Sequence, residues 1–498
     1  MNILSANVPG LVARSVVAAA GGEWALAREG AKRRLVALLP RESRPLAELE
    51  GDRAERGGRM LVIGPASPRN ASALRTFLPW LCPAPIGLRT SAGFGDRLGL
   101  ATPGHVRALR AAAPDLAPIF AQQSIREMTR TGRTPVQVLD DATWGAFEEG
   151  WTGGVGSDAD HLKAEGEIDA CLEAGFTLFT FDPGAFVDAA AASSGREELA
   201  RALVRVPWDR LETSLQALAA RYVGQPFGIE GVDVSFDEDA VARAAIKYGA
   251  AVAHVAALYR HLCERAGSRP FEVEVSVDET EAPTSHAEHV FVATELRRLG
   301  VKWVSLAPRF VGRFEKGVDY IGDLEEFGRH LAGHAAIARA LGPYKLSLHS
   351  GSDKFSLYGA VARETRGLVH LKTAGTSYLE ALRVVAAVQP ELFREIFWFA
   401  CGRYEEDRAS YHVSAAAARA AAALEARGEP RAALDDFHVR QVLHVTFGSV
   451  LTAADPRGRP RFAHRIAAVL DESPEAYATG LESHVARHLG PFAGCASA

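Results

Sequence analysis

A chain of 498 residues, 48% hydrophobic and 23% charged, is long enough for a large core and too apolar for extended disorder. Its net charge of −5, with Lys and Arg interspersed among Asp and Glu, excludes the basic stripe of a nucleic-acid binder and offers nothing to an anionic membrane surface. Five widely spaced cysteines, odd in number and without a C-x-x-C pair, exclude a disulfide framework and a cysteine-based zinc site, so a reducing cytoplasm is expected.

In chain order, residues 1–90 show no charged n-region followed by an apolar run of the signal-peptide kind. They contain MLVIGPAS and predict a small N-terminal α/β extension. No apolar run in the chain reaches the roughly 18 residues needed to cross a bilayer. From about residue 97 onward, short β-type runs alternate with helical stretches. The runs are RLGLAT (97–102), APIFAQQ (117–123), GGVGSDADH (153–161), FTLFTFD (176–182), FEVEVSVDE (271–279), VKWVSLAP (301–308), YKLSLHS (344–350) and LVHLKT (368–373). Eight strands alternating with helices predict an α/β fold of the (β/α)8 TIM-type barrel class over 91–385, with a doubly wound open sheet as the rival. A helical insertion at 185–270 is expected as a cover near the barrel mouth, and 386–498 as a helical C-terminal appendage.

Strand parity selects the residues that can meet in the lumen. In YKLSLHS, Lys345, Ser347 and His349 face in; in LVHLKT, His370 and Lys372; in FEVEVSVDE, Glu272, Glu274, Ser276 and Asp278. Carboxylates on a buried face are costly without a cation opposite them. The third run ends in Asp160 and His161. Together His161, His349 and His370, with a carboxylate such as Glu274, suit a divalent metal: Zn2+ first, with Mn2+, Co2+ or Ni2+ as alternatives. Asp158 and Asp278 are candidates for supporting the ligands. His286 and His289, in TSHAEH, are assigned solvent or capping roles at a helix start. The turn SGSDK, beginning at Ser350, could cradle an anion through backbone N–H groups. Lys354, Lys372 and Arg309 are cations suited to a substrate carboxylate, and Gln122 and Gln123 to its hydroxyls.

The segments GFGDRLGLATPGHVRAL, GSDADHLK, SLAPRFVGRFEKGVDYIGDL, LHSGSDKFSLY and LVHLKTAGTSYLEALR together resemble the tagaturonate/fructuronate epimerase family of bacterial hexuronate catabolism. The resemblance runs from about residue 90 to 385. It implies a metal-dependent isomerase that inverts C4 of a ketohexuronate, with Asp160 as base, His161 and His349 as metal ligands, and His370 and Glu274 as a further ligand and the proton donor. Its partner would be a small-molecule sugar acid, without nucleic acid or membrane, and a homo-oligomer is left open. Because C4 is not acidified by the C2 ketone, retro-aldol cleavage of C3–C4 is the expected route. The competing readings are a class II aldolase, a non-catalytic sugar-acid binding protein and, more weakly, a barrel hydrolase.

Overall fold

The computed structural model describes residues 8–495 apart from 31 and 281. Five strands come first: β1 (Val17–Ala19), β2 (Gly22–Glu29), β3 (Lys32–Leu39), β4 (Asp52–Arg56) and β5 (Arg59–Pro65). They form an antiparallel sheet in the order β1-β2-β3-β5-β4. Period-two alternation gives this sheet two apolar faces. Trp24, Leu26, Leu35, Ala37 and Leu39 join the main core, while Ala25, Ala27, Val36 and Leu38 form a smaller cluster with Val8 and Leu61. Glu148, buried on the helix Pro135–Glu148, accepts hydrogen bonds from Arg28 and Arg33 and thereby ties the sheet to the next layer.

Eight further strands follow: β6 (Ser91–Gly95), β7 (Ala117–Ser124), β8 (Gly156–Leu162), β9 (Leu178–Phe181), β10 (Glu272–Val277), β11 (Ser305–Pro308), β12 (Lys345–Leu348) and β13 (Val369–Thr373). All neighbours are parallel, and β13 closes on β6, so the structure is the TIM-type barrel rather than an open sheet. The alternation in EVEVSV is decisive locally. Val273, Val275 and Val277 pack outward into the apolar core, and Glu274 and Ser276 turn inward. Capping boxes start several barrel helices, as where Ser285 and Glu288 satisfy each other's backbone N–H groups at the helix His286–Arg298.

Two expectations need correction. The first strand is SAGFG, not RLGLAT. Asp96 accepts the backbone N–H groups of Leu98, Gly99 and Ala101, which folds that segment into a capped loop ahead of the helix Thr102–Ala112. The true strand carries no β-branched residue, and its glycines are required by close packing: a Cβ on Gly93 would lie 2.1 Å from the Gln122 side chain. The second concerns 185–270, which does not cover the mouth. Its long helix Glu238–Ala266 packs against the helices Glu165–Ala174 and His286–Arg298, in the crossover position between β9 and β10. That helix is long and apolar enough to span a bilayer, but 72% of its most apolar window is buried inside the protein, so packing accounts for its composition. The C-terminal region lies over the mouth instead, contributing Tyr411 from a loop and His444 from the helix Phe437–Val445 to the cavity above the strands.

The helix Pro474–Leu489 lies on Thr102–Ala112 across Gly104, where a Cβ would come within 2.5 Å of Leu481 Cβ and 3.0 Å of the Ala478 carbonyl oxygen. Neither atom can swing away. Gly104→Ala should therefore cost roughly 1–3 kcal/mol by overpacking, read as a lower denaturant midpoint. An unchanged midpoint would contradict this packing.

Candidate active site

The C-terminal ends of β8, β10, β12 and β13 carry one continuous charged network. At its centre is Lys372 of β13. Its Nζ lies 2.8 Å from Asp158 Oδ2, 2.7 Å from Asp160 Oδ1 and 2.7 Å from Glu274 Oε1, and 2.7 Å from the Thr180 hydroxyl. Burial opposes the ammonium charge, but the three carboxylates overcome it and raise its pKa well above the ordinary lysine value. The lumen carboxylates therefore have their counter-cation within the chain itself.

Glu274 is fully buried and accepts from the hydroxyls of Ser305 and Thr180 as well as from Lys372. His349, just beyond β12, places Nε2 2.6 Å from Glu274 Oε1 and Nδ1 3.1 Å from Asp278 Oδ1. Burial disfavours its imidazolium, but Asp278 outweighs this, with Glu274 adding to it, and its pKa rises to about 10. Asp160, against the penalty of burial, is held at about 2 by His161 and Lys372.

His161 reaches the same point by a backbone irregularity. With Asp158 and Asp160 facing in, alternation alone would turn His161 outward. Its φ of 56° and a slip of register against β9 between Ala159 and Leu162 bring it back to the rim. Its ring stands perpendicular to that of His349, 4.9 Å between centroids. One donor atom each from Asp160, His161 and His349 lies within 4.8 Å of the others, and His161 also groups with Asp182 and Glu279 on the same criterion. His161 Nδ1 is buried 3.5 Å from Asp182 Oδ2 without a hydrogen bond between them, and that oxygen is ion-paired to Lys163 Nζ at 3.0 Å. A buried ring nitrogen left in this state is what a divalent ion would satisfy.

Other expected residues are placed differently. His370 is level with Ser347 and Ser91, one layer below His349, where its Nδ1 is 2.9 Å from the Ser91 hydroxyl and its Nε2 is 3.9 Å from Asp158. The structure does not bring it to the His161–His349 pair. Lys354 is buried, and its ammonium donates to the carbonyls of Glu315, Val318 and Ser352, so it pins a loop and faces no ligand. The SGSDK turn is no anion cradle either: the amides of Gly351, Asp353 and Lys354 donate to Lys372 O, His488 Nε2 and the Tyr358 hydroxyl. Arg309 does not line the cavity, whereas Gln122 and Ser350 do. Gln122 Oε1 is buried without a partner, and Gln123 is committed to Glu127. Asp278 is paired with His349. His286 and His289 form a separate cluster between helices, and His289 is buried, not solvent-facing.

The residues that sequence reasoning passed over come from loops and from the C-terminal helices. Lys316 and Arg126 line the cavity with Arg97, Tyr411 and His444. Arg97 is taken up by Glu127 and stacks on Phe447, and Arg126 pairs with Glu279. Lys316 has no ion pair among the described residues; it donates to the Ser350 hydroxyl at 2.7 Å, and burial, then Arg126, lower its pKa. It stands in the stretch RFVGRFEKG, where only its position after β11 could have flagged it.

A family model described as tagaturonate epimerase matches residues 13–491. The chain belongs to the tagaturonate epimerase family. Among other members, the tagaturonate/fructuronate epimerase of Thermotoga maritima is 45% identical over 421 residues, 84% of each chain. Crystal structures of the fructuronate-tagaturonate epimerase of Cohnella laeviribosi share 36% identity. The native form superposes with a TM-score of 0.89 over 98% of this chain and 97% of that one, and a complex with two glycerols at 0.90 over 98% of each. The similarity to these epimerases thus extends through the N-terminal sheet and the C-terminal helices, well beyond the 90–385 stretch that carries the sequence motifs.

Within this family member, removing the central cation should expose its role. Lys372→Met leaves Asp158, Asp160 and Glu274 buried without a counter-charge. A loss of about 3–5 kcal/mol in unfolding free energy is expected, the usual cost of breaking a buried ion pair from one side. A variant as stable as the parent in urea titration would show that the carboxylates do not depend on it.

Proposed function

We propose that the protein is an isomerase that inverts C4 of a ketohexuronate, interconverting D-fructuronate and D-tagaturonate, by cleaving and re-forming the C3–C4 bond. Membership of the family supports the activity. The observation that carries the substrate class is Lys316: a half-buried lysine at the cavity wall without a carboxylate partner among the described residues, beside Arg126. A sugar carboxylate supplies the missing charge.

His161 and His349 are the residues placed to hold a divalent ion, His349 giving up its proton as the ion binds, with Asp182 and Glu279 close to His161 and Asp160 beside both rings as the base. The donor set of imidazoles and carboxylates fits Zn2+, Mn2+, Co2+ or Ni2+. When bound, such an ion polarises the C2 carbonyl and stabilises the negative charge left on C3 when the bond breaks. The protein groups do the rest. Asp160, ionised, accepts the proton of the C4 hydroxyl as that oxygen becomes an aldehyde and the C3–C4 electron pair passes to the C2–C3 fragment. Lys316 and Arg126 hold the C6 carboxylate, so the aldehyde can turn about C4–C5 without leaving. The electron pair then adds to its other face, and the new C4 alkoxide takes back a proton. Glu274 is ill-suited to return it, because Lys372 and His349 hold its pKa well below the ordinary value despite its burial. Asp160, protonated in the first step and lining the cavity, holds the proton to be returned, while Lys372 stays charged 2.7 Å from it. Retention of the aldehyde separates this reading from an aldolase. The placement is cytoplasmic, and neither nucleic acid nor membrane is a partner.

With C4-deuterated fructuronate in ordinary water, tagaturonate should form with deuterium still on C4 by NMR; washout to solvent would overturn bond cleavage, and free three-carbon products would identify an aldolase. Stripping divalent metal should abolish turnover and re-addition restore it, while full activity after rigorous stripping would refute the metal. Lys316→Ala should lower kcat/KM for the uronate about tenfold to a hundredfold, the worth of one charged hydrogen bond, and leave any turnover of the neutral ketohexose unchanged. Equal losses on both would remove the carboxylate contact from the account.

A further inference from the structure

Outside the barrel, the helices His286–Arg298 and Leu324–Ala340 meet at a cluster of imidazoles that the reaction does not use. His330 and His334 are one turn apart on the second helix, with ring centroids 4.4 Å apart and Nε2 atoms 3.3 Å apart. His286 comes from the first turn of the other helix, its ring centroid 4.9 Å from that of His334. One nitrogen from each of the three lies within 4.8 Å of the others.

Three observations separate this cluster from ordinary packing. First, the His330 and His334 Nε2 atoms converge on one oxygen, the Thr284 carbonyl, 3.1 Å from each. Two nitrogens at about 2.0–2.1 Å from a tetrahedral ion would stand roughly 3.3 Å apart, which is the observed separation. Second, the backbone makes room for the third ring. Gly333 lies between the two histidines, and a Cβ there would come within 2.2 Å of the His286 ring. Third, an outer layer orients the ligands: Tyr344 OH is 2.9 Å from His289 Nε2, and His289 Nδ1 is 2.8 Å from His334 Nδ1. With His334 Nδ1–H donating to His289 Nδ1 and His289 Nε2–H donating in turn to the tyrosine oxygen, His334 Nε2 keeps its lone pair for the ion.

We propose that His286, His330 and His334 form a second, structural binding site for a borderline transition-metal ion such as Zn2+, distinct from the active site. Burial lowers the pKa of His330 to about 4 and that of His334 well below the ordinary value, so both rings are neutral and need lose no proton charge to ligate. The ion would clamp the helix after β10, the strand of Glu274, to the helix before β12, the strand leading to His349.

The test is metal stoichiometry on purified full-length protein, stripped and then titrated with Zn2+ and with Co2+. His330→Ala and Gly333→Ala should each bind one equivalent fewer than the parent at the same protein concentration. Zn2+ should raise the parent's melting temperature more than theirs, and their Co2+ forms should lose one imidazole-ligated tetrahedral absorption band. His349→Ala, which alters the active site alone, should lose a different equivalent and keep that band. Equal stoichiometry in the parent, His330→Ala and Gly333→Ala would overturn the proposal. Should the variants misfold, crystals of the parent soaked in Co2+ decide the matter. An anomalous peak within about 2.5 Å of the His330 and His334 rings supports the site, and its absence there at full Co2+ saturation rejects it.

Discussion

A single ammonium group organises the lumen of this barrel. Asp158, Asp160 and Glu274 all project into its buried interior, where uncompensated charge is prohibitive. Lys372 contacts all three. Because Glu274 is held by Lys372, it is in place to fix one face of His349; because Asp160 is held, it is in place beside His161. The rim cluster inherits its geometry from a lysine one strand end away.

The same electrostatics divide labour among chemically similar residues. Glu274 and Asp160 are both carboxylates of the lumen wall, but Glu274 is closed off from the cavity by its donors, whereas Asp160 lines it. Lys354 and Lys316 sit on neighbouring loops with opposite outcomes. The first spends its hydrogen bonds on carbonyls of the loop that carries the second. One lysine builds the wall so that the other can face the substrate. The Asp353 side chain extends this support, since Arg440, His484 and Thr376 all engage it and so anchor the turn after β12 to the C-terminal helices.

Much of this is legible in the sequence, for reasons that also mark where reading stops. Period-two alternation in EVEVSV, KLSL and VHLKT is imposed by burial on one side, and it places Glu274, His349 and Lys372 in the lumen. Alternation gives the side of a strand but not its height. His370 shares the face of Lys372, but register pairs it with Ser347, a layer too low to meet His349. The Asp160–His161 pair is the converse case, two adjacent residues that alternation would set on opposite faces and that an αL residue reunites. Strand β6 escapes a sequence reading because glycine and alanine, demanded by tight contacts with Gln122 and Ala374, carry no strand signature. Lys316, Arg126, Tyr411 and His444 lie on loops and distant helices, where no periodicity constrains position.

The account stands on the ionisation state of the lumen, which neutron diffraction from crystals grown in heavy water near pH 7 observes directly. Three deuterons on Lys372 Nζ, with bare carboxylate oxygens on Asp160 and Glu274, is the predicted result. A neutral amine at Lys372 with a deuteron on Glu274 or Asp160 would contradict it, for the base and the ligand cluster would then lack the charge that positions them.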